Sequence, residues 1–70
     1  MITQDELENI FTYHSPKPEQ LKAYKELRAE AKVFAEYVVN LCPESREKSL
    51  AITKIQEAVM FANAAIAIHS

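Results

Sequence analysis

Apolar residues recur at steps of three and four along most of this chain. That is the spacing of amphipathic helices, not the two-residue alternation of a strand. The first group is Leu7, Ile10 and Phe11, preceded by Thr3 with Glu6 three residues on, the pattern of a capping box. A short helix from about Gln4 to Phe11 is predicted. "TYHSPKP" then breaks it, because Pro16 and Pro18 each disfavour helix in the residue before them. Pro18 suits the first position of a second helix, where its missing N–H would be unpaired anyway, and Glu19 complements the positive end of the dipole. Leu21, Tyr24, Leu27, Ala31, Phe34, Val38 and Leu41 then form one apolar stripe. Lys22, Lys25, Glu26, Arg28, Glu30, Lys32 and Glu36 occupy the other faces. Lys22–Glu26 and Lys32–Glu36 are spaced as opposite-charge pairs, and Glu26–Glu30 as a like-charge pair. "NLCPES" ends the stripe. Pro43 is a second candidate for a first helical position, with a third helix running to about His69.

That third helix departs from the one-stripe pattern. Its inner stripe is Ile52, Ile55, Val59, Ala62 and Ile66, but Val59–Ile68 is "VMFANAAIAI", apolar in every position except Asn63. A helix against one small core needs only one apolar stripe. Ala51, Ala58 and Ala65 make a second, small-residue line at seven-residue spacing, where another helix can approach closely. Two packing faces in so short a chain imply contact with another subunit, through Ala58, Phe61, Asn63, Ala65 and Ile68. Asn63 would hydrogen-bond across such an interface or to helix ends, and fix register there. The alternative is that the first two helices wrap both faces. The expected architecture is all-α: one domain over residues 1–70, with a short N-terminal helix and a long antiparallel helical hairpin assembled as a homo-oligomer.

Composition supports this. Seventy residues bury only about 60% of their unfolded surface, so a lone core is marginal. The usual remedies are disulfides, a metal or oligomerisation. The single cysteine, Cys42, forms no internal disulfide and reads as a small buried hydrophobe in a reducing, cytosolic setting. No Cys/His spacing suits zinc, which leaves oligomerisation. The formal net charge of −2 argues against binding DNA or RNA polymers, whose footprint is basic, but not against a small phosphate ligand. No apolar run is expected to span a bilayer, and no signal peptide is apparent. The chain has no glycine, so glycine-rich phosphate loops are absent.

Three clusters carry candidate chemistry. In "FTYHSPKP", Tyr13 and His14 can stack on a nucleobase while Thr12 and Ser15 donate to phosphate or base edges; composition alone favours a turn whose Phe and Tyr plug the small core. "PESREKS" lies at a predicted helix N-terminus, where Arg46, Lys48, Ser45 and Ser49 favour an anion, although Glu44 and Glu47 oppose one and a capped, solvated helix start fits as well. Arg28, with Lys25 and Lys32, shares one face of the second helix. It is either solvated or, beside a partner's Tyr13 loop, a source of cations for two phosphates. The carboxylates are scattered, and His14 and His69 are far apart. No catalytic or metal-binding set emerges, so neither enzymatic activity nor a cofactor is expected.

"FTYHSP", the Leu27-Arg28 pair and "CPESREKSLAITKIQEAVMFANAAIA" resemble the phage anti-CBASS cyclic-nucleotide sponges, whose helical hairpin is related to that of some phage anti-Thoeris sponges. The resemblance covers almost the whole chain. It implies a compact homohexamer acting in the cytoplasm of the infected host cell. It further implies that the protein binds cyclic dinucleotides, such as 3′,3′-cyclic GMP-AMP, between protomers without cleaving them. Some members also hold cyclic trinucleotides such as cyclic triadenylate at separate sites. Carried over residue by residue, Tyr13 would stack on a base with His14 beside it. Arg28 would meet a phosphate, with Lys32 as a weaker match, and Arg46, Lys48 and Ser49 would serve ligand or interface. Cyclic triadenylate is thus a second candidate ligand, but relatives often carry an arginine just after "ANAAIA", where this chain has Ile68 and His69; if that arginine helps hold cyclic trinucleotides, this chain would bind them weakly or not at all. The competing class is a helical oligomeric interaction module that inhibits a host protein through the third helix.

Overall fold

The structure, a computed structural model, describes residues 2–70. They form three α-helices: α1 (Gln4–Ile10), α2 (Pro18–Leu41) and α3 (Arg46–His69). Helices α2 and α3 pack as the expected antiparallel hairpin. Thr3 caps α1, accepting from the Glu6 N–H at 3.1 Å. The second half of the capping box takes another form, since the Thr3 hydroxyl itself donates to the Glu6 carboxylate at 3.3 Å. Pro18 opens α2 as predicted.

The start of α3 differs from expectation. The helix begins at Arg46, not at Pro43, because Ser45 takes the N-cap in an extended conformation. Its Oγ accepts from the Lys48 N–H at 3.1 Å. A side-chain acceptor for an orphan N–H outweighs proline's preset φ. Pro43 belongs to the turn instead, where its carbonyl accepts from the Ser45 hydroxyl at 3.1 Å. Cys42 is exposed, against expectation. It is the C-cap of α2 with an extended backbone, which takes it off the face that α2 turns toward α3.

The hairpin is flat and thin. Its extents are 45 × 31 × 14 Å and its radius of gyration is 15.4 Å, against about 11 Å for a compact chain of this length. Its accessible surface is 5944 Å², where a folded monomer of this mass exposes about 4,450 Å². Among the described residues no hydrophobic side chain is buried; the one buried residue is Gln20. The seam residues Leu27, Ala31, Val38, Ile52, Ile55, Val59, Ala62 and Ile66 are only half-buried. Leu21, Phe34 and Leu41, predicted on the same stripe, are exposed. Helix α1 does not wrap α3, since Met60 and Phe61 remain 66% and 74% exposed.

One expectation about membranes is corrected. Arg46–His69 forms a single helix long and apolar enough, by length and composition, to cross a membrane. Lys54 and Glu57 interrupt its apolar run and pair with each other at 3.1 Å.

Candidate functional site

The hairpin presents two grooves, one on each side of a seam made by Ala31, Ile55 and Val59. The first, about 650 Å³, is lined by Leu27, Phe34, Val38, Ala51, Ala58 and Ala62 and is almost wholly apolar, with Glu30 and Lys54 at its margin. Phe61 is one turn from both Ala58 and Ala65 and beside this groove, and Ile68 follows Phe61 seven residues on. Ala58, Phe61 and Ala65 are exposed and Ile68 is half-buried.

The second groove, about 410 Å³, is lined by Arg28, Lys32 and Ala35 from α2 and by Ile52, Gln56 and Met60 from α3. The sequence-predicted cations Arg28 and Lys32 therefore share one concave surface, while Lys25 lies outside it. Both are exposed, and neither makes an ion pair among the described residues. The predicted Lys22–Glu26 and Lys32–Glu36 pairs are not formed. Two guanidinium or ammonium groups above a floor of methyl groups, Gln56 and Met60 can attract phosphate and accept a flat apolar surface at the same place.

The other candidates are distributed along the molecule. Tyr13 is 83% exposed in the α1–α2 loop, at the end of the hairpin where α2 begins and α3 finishes. His14 is half-buried, its Nε2 2.7 Å from the carbonyl oxygen of Asn9. The Asn9 side chain in turn donates to the Ile68 carbonyl at 3.2 Å. Arg46, Lys48 and Ser49 lie at the opposite end, in the first turn of α3. Lys48 is occupied there, paired with Glu44 at 2.6 Å. That ammonium, as hydrogen-bond donor and as charge, holds the Glu44 carboxyl below the usual carboxylate range. Arg46 and Ser49 are exposed. One protomer thus brings Arg28 and Lys32 together, but not Tyr13 with Arg46.

Asn63 separates from the other predicted interface residues. Two positions from Phe61, it faces nearly the opposite side of α3. It is half-buried, and its Oδ1 is shut off from solvent without a hydrogen-bond partner. Among the described residues no group of His, Cys, Asp and Glu is placed to hold a metal ion.

Sequence reasoning missed Gln20. This residue is 6% exposed. Its Nε2 donates to the carbonyls of Ile66 and Ser70, each at 3.2 Å, while its Oε1 accepts from the Lys17 N–H at 2.9 Å. The only sequence signal is a glutamine at the third helical position, where a capping box has its reciprocal acceptor.

The family model described as "Acb2/Tad1, hairpin domain" matches residues 3–67. No curated protein and no solved structure matches the chain.

Proposed function

The chain belongs to the Acb2/Tad1 hairpin-domain family of anti-CBASS and anti-Thoeris sponges for cyclic nucleotide signals, and from that premise we propose that it sequesters cyclic dinucleotides to block CBASS signalling. The family match over residues 3–67 carries the reading; the groove that pairs Arg28 and Lys32 supports it. A cyclic dinucleotide has two phosphates and two bases in near two-fold symmetry. A two-fold interface between copies of the chain offers each contact twice. In such a pocket one protomer supplies Arg28 and Lys32 to a phosphate, and the exposed ring of Tyr13 stacks on a base, with the open edge of His14 beside it. Arg46 and Ser49 serve a neighbouring protomer or the rim. Lys48, held by Glu44, is the weakest of the set.

The complex is a homohexamer acting in the cytoplasm of the infected cell, and it binds its ligand without cleaving it. With Ile68 and His69 in place of the arginine found in relatives, cyclic triadenylate binds weakly or not at all.

The test is calorimetric titration of the protein with 3′,3′-cyclic GMP-AMP, followed by heating and identification of what is released. Tight binding with intact ligand returned is expected. Tyr13→Ala is expected to weaken it by about 1–3 kcal/mol through lost stacking. Linear product would overturn the sponge in favour of a phosphodiesterase. No heat of binding would overturn the nucleotide reading and leave the exposed α3 face for a host protein.

A further inference from the structure

Gln20 is the one buried residue among the described residues, and its side-chain bonds all lead to the Tyr13 loop or to the end of α3. A helix leaves its last four carbonyls without intrahelical partners. Asn9 supplies a donor to Ile68 from α1. Gln20 supplies donors from α2 to Ser70 and to Ile66, whose carbonyl also accepts from the Ser70 N–H. The loop between α1 and α2 begins after Ile10, the residue next to Asn9, and ends at Lys17, whose N–H is bonded to Gln20. His14, in its middle, returns to the Asn9 carbonyl. Both ends of the segment carrying Tyr13 are therefore fastened to one place, the C-terminal turn of α3. The Gln20 amide is fixed in orientation by these bonds, since the reverse would set its oxygen against two carbonyls and its NH₂ against an N–H.

We infer that Gln20 and Asn9 are positioning residues that hold Tyr13 for base stacking by clamping its loop to the end of α3. The inference rests on the nucleotide-binding reading for its affinity arm alone. Apart from these bonds, α1 has little to hold it, being short and with Leu7, Ile10 and Phe11 exposed. Without the clamp the loop samples many conformations, and each productive encounter with a base bears the ordering cost.

The test uses Gln20→Met, which keeps length and helix propensity but removes both donors and the acceptor, and Asn9→Leu as an independent second break. Each is combined with Tyr13→Ala and measured by calorimetry with 3′,3′-cyclic GMP-AMP, with circular dichroism and sedimentation to check helix content and assembly. Amide hydrogen exchange is followed at Lys17 and through the loop. The expected result is at least about tenfold faster exchange of the Lys17 amide in Gln20→Met, and about tenfold weaker nucleotide binding in either variant. In the Tyr13→Ala background the same substitutions should have less than about a twofold effect, because residues acting through one another are not additive. Equal losses with and without Tyr13 would overturn the positioning role and mark the network as merely structural. Unchanged Lys17 exchange would overturn the clamp itself. If the wild-type protein binds no nucleotide, the functional reading fails, and the exchange experiment still decides whether the loop is clamped.

Discussion

Replacing Phe61 by Ala tests whether the surface this chain leaves open is an interface. Phe61 is 74% exposed in the single protomer. A Phe side chain buries about 200 Å², so roughly 150 Å² of its surface is open to cover. At about 25 cal/mol per Å², covering it is worth about 3–4 kcal/mol, of which Ala retains about a quarter. The loss on substitution is then about 2–3 kcal/mol per protomer. Differences between variants of this kind are steadier than absolute sums over an interface. Alanine is the strongest helix former, and Phe61 faces away from the seam, so α3 itself should be preserved. The assay is sedimentation equilibrium over a dilution series with circular dichroism alongside. The wild type should remain assembled into the low micromolar range. In the proposed hexamer, where six such losses fall on five association steps, Phe61→Ala should need roughly 60- to 400-fold more protein to reach the same mean mass. Superimposable dilution curves would place Phe61 in solvent and refute its role. A wild type that is a folded monomer at every concentration would refute the larger argument from excess surface.

Three further outcomes follow from the geometry. Arg28→Ala should weaken nucleotide binding and flatten its salt dependence, read by titration between low and high ionic strength; identical affinities at both would remove the phosphate contact. Ser45→Ala should cost about 1 kcal/mol in urea unfolding through loss of the cap on the Lys48 N–H, and no change in midpoint would mean that water replaces the hydroxyl fully. Because Lys48 holds the Glu44 carboxyl below the usual range, the pair's contribution is present above the ordinary carboxylate value and lost as pH falls through the lowered one. Glu44→Gln should thus melt slightly below the wild type at pH 7 and converge with it in acid, whereas a constant gap would refute the linkage.

The helices were legible because their signal is local. Steps of three and four, Thr3 with Glu6 and Pro18 after a broken stretch each act within one or two turns. The boundary at α3 was misread for the same reason: Pro43 and Ser45 are both valid local starts, and only the Ser45 bond to Lys48 separates them. Cys42 was judged by its chemistry as a buried hydrophobe, while its exposure follows from the turn it occupies. Only the local half of Gln20, its capping bond to Lys17, had a sequence signal; its tie to α3 had none. Its partners at the end of α3 lie 46 and 50 residues away and are backbone carbonyls, which every residue type carries. Of the candidate ligand residues, Arg28 and Lys32 share a groove because they are one turn apart on a single helix. Tyr13 and Arg46 are at opposite ends of the hairpin, and no spacing rule within one chain unites them.

That separation is also the physical link between the coreless fold and the proposed ligand. In the proposed assembly a chain about 1,500 Å² over the surface of a compact monomer would gain stability from its neighbours, and a groove open on its outer side would enclose a dinucleotide only when something closes over it. One copy supplies the cations and the floor, and a second can bring the aromatic loop to the same place. The apolar groove, with Phe61 beside it, and the cationic groove lie on opposite sides of the Ala31–Ile55–Val59 seam, so in the proposed assembly association and ligand contact would use different residues of one thin pair of helices. Ligand bound between protomers must stabilise the assembly by mass action. Phe61→Ala, which touches no ligand, should therefore lower apparent nucleotide affinity at low protein concentration and recover it as the protein is concentrated. Tyr13→Ala should show the same deficit at every concentration. A Phe61→Ala deficit that persists once the variant is fully assembled would mean that the two faces are not independent, and that the second groove is shaped by what packs against the first.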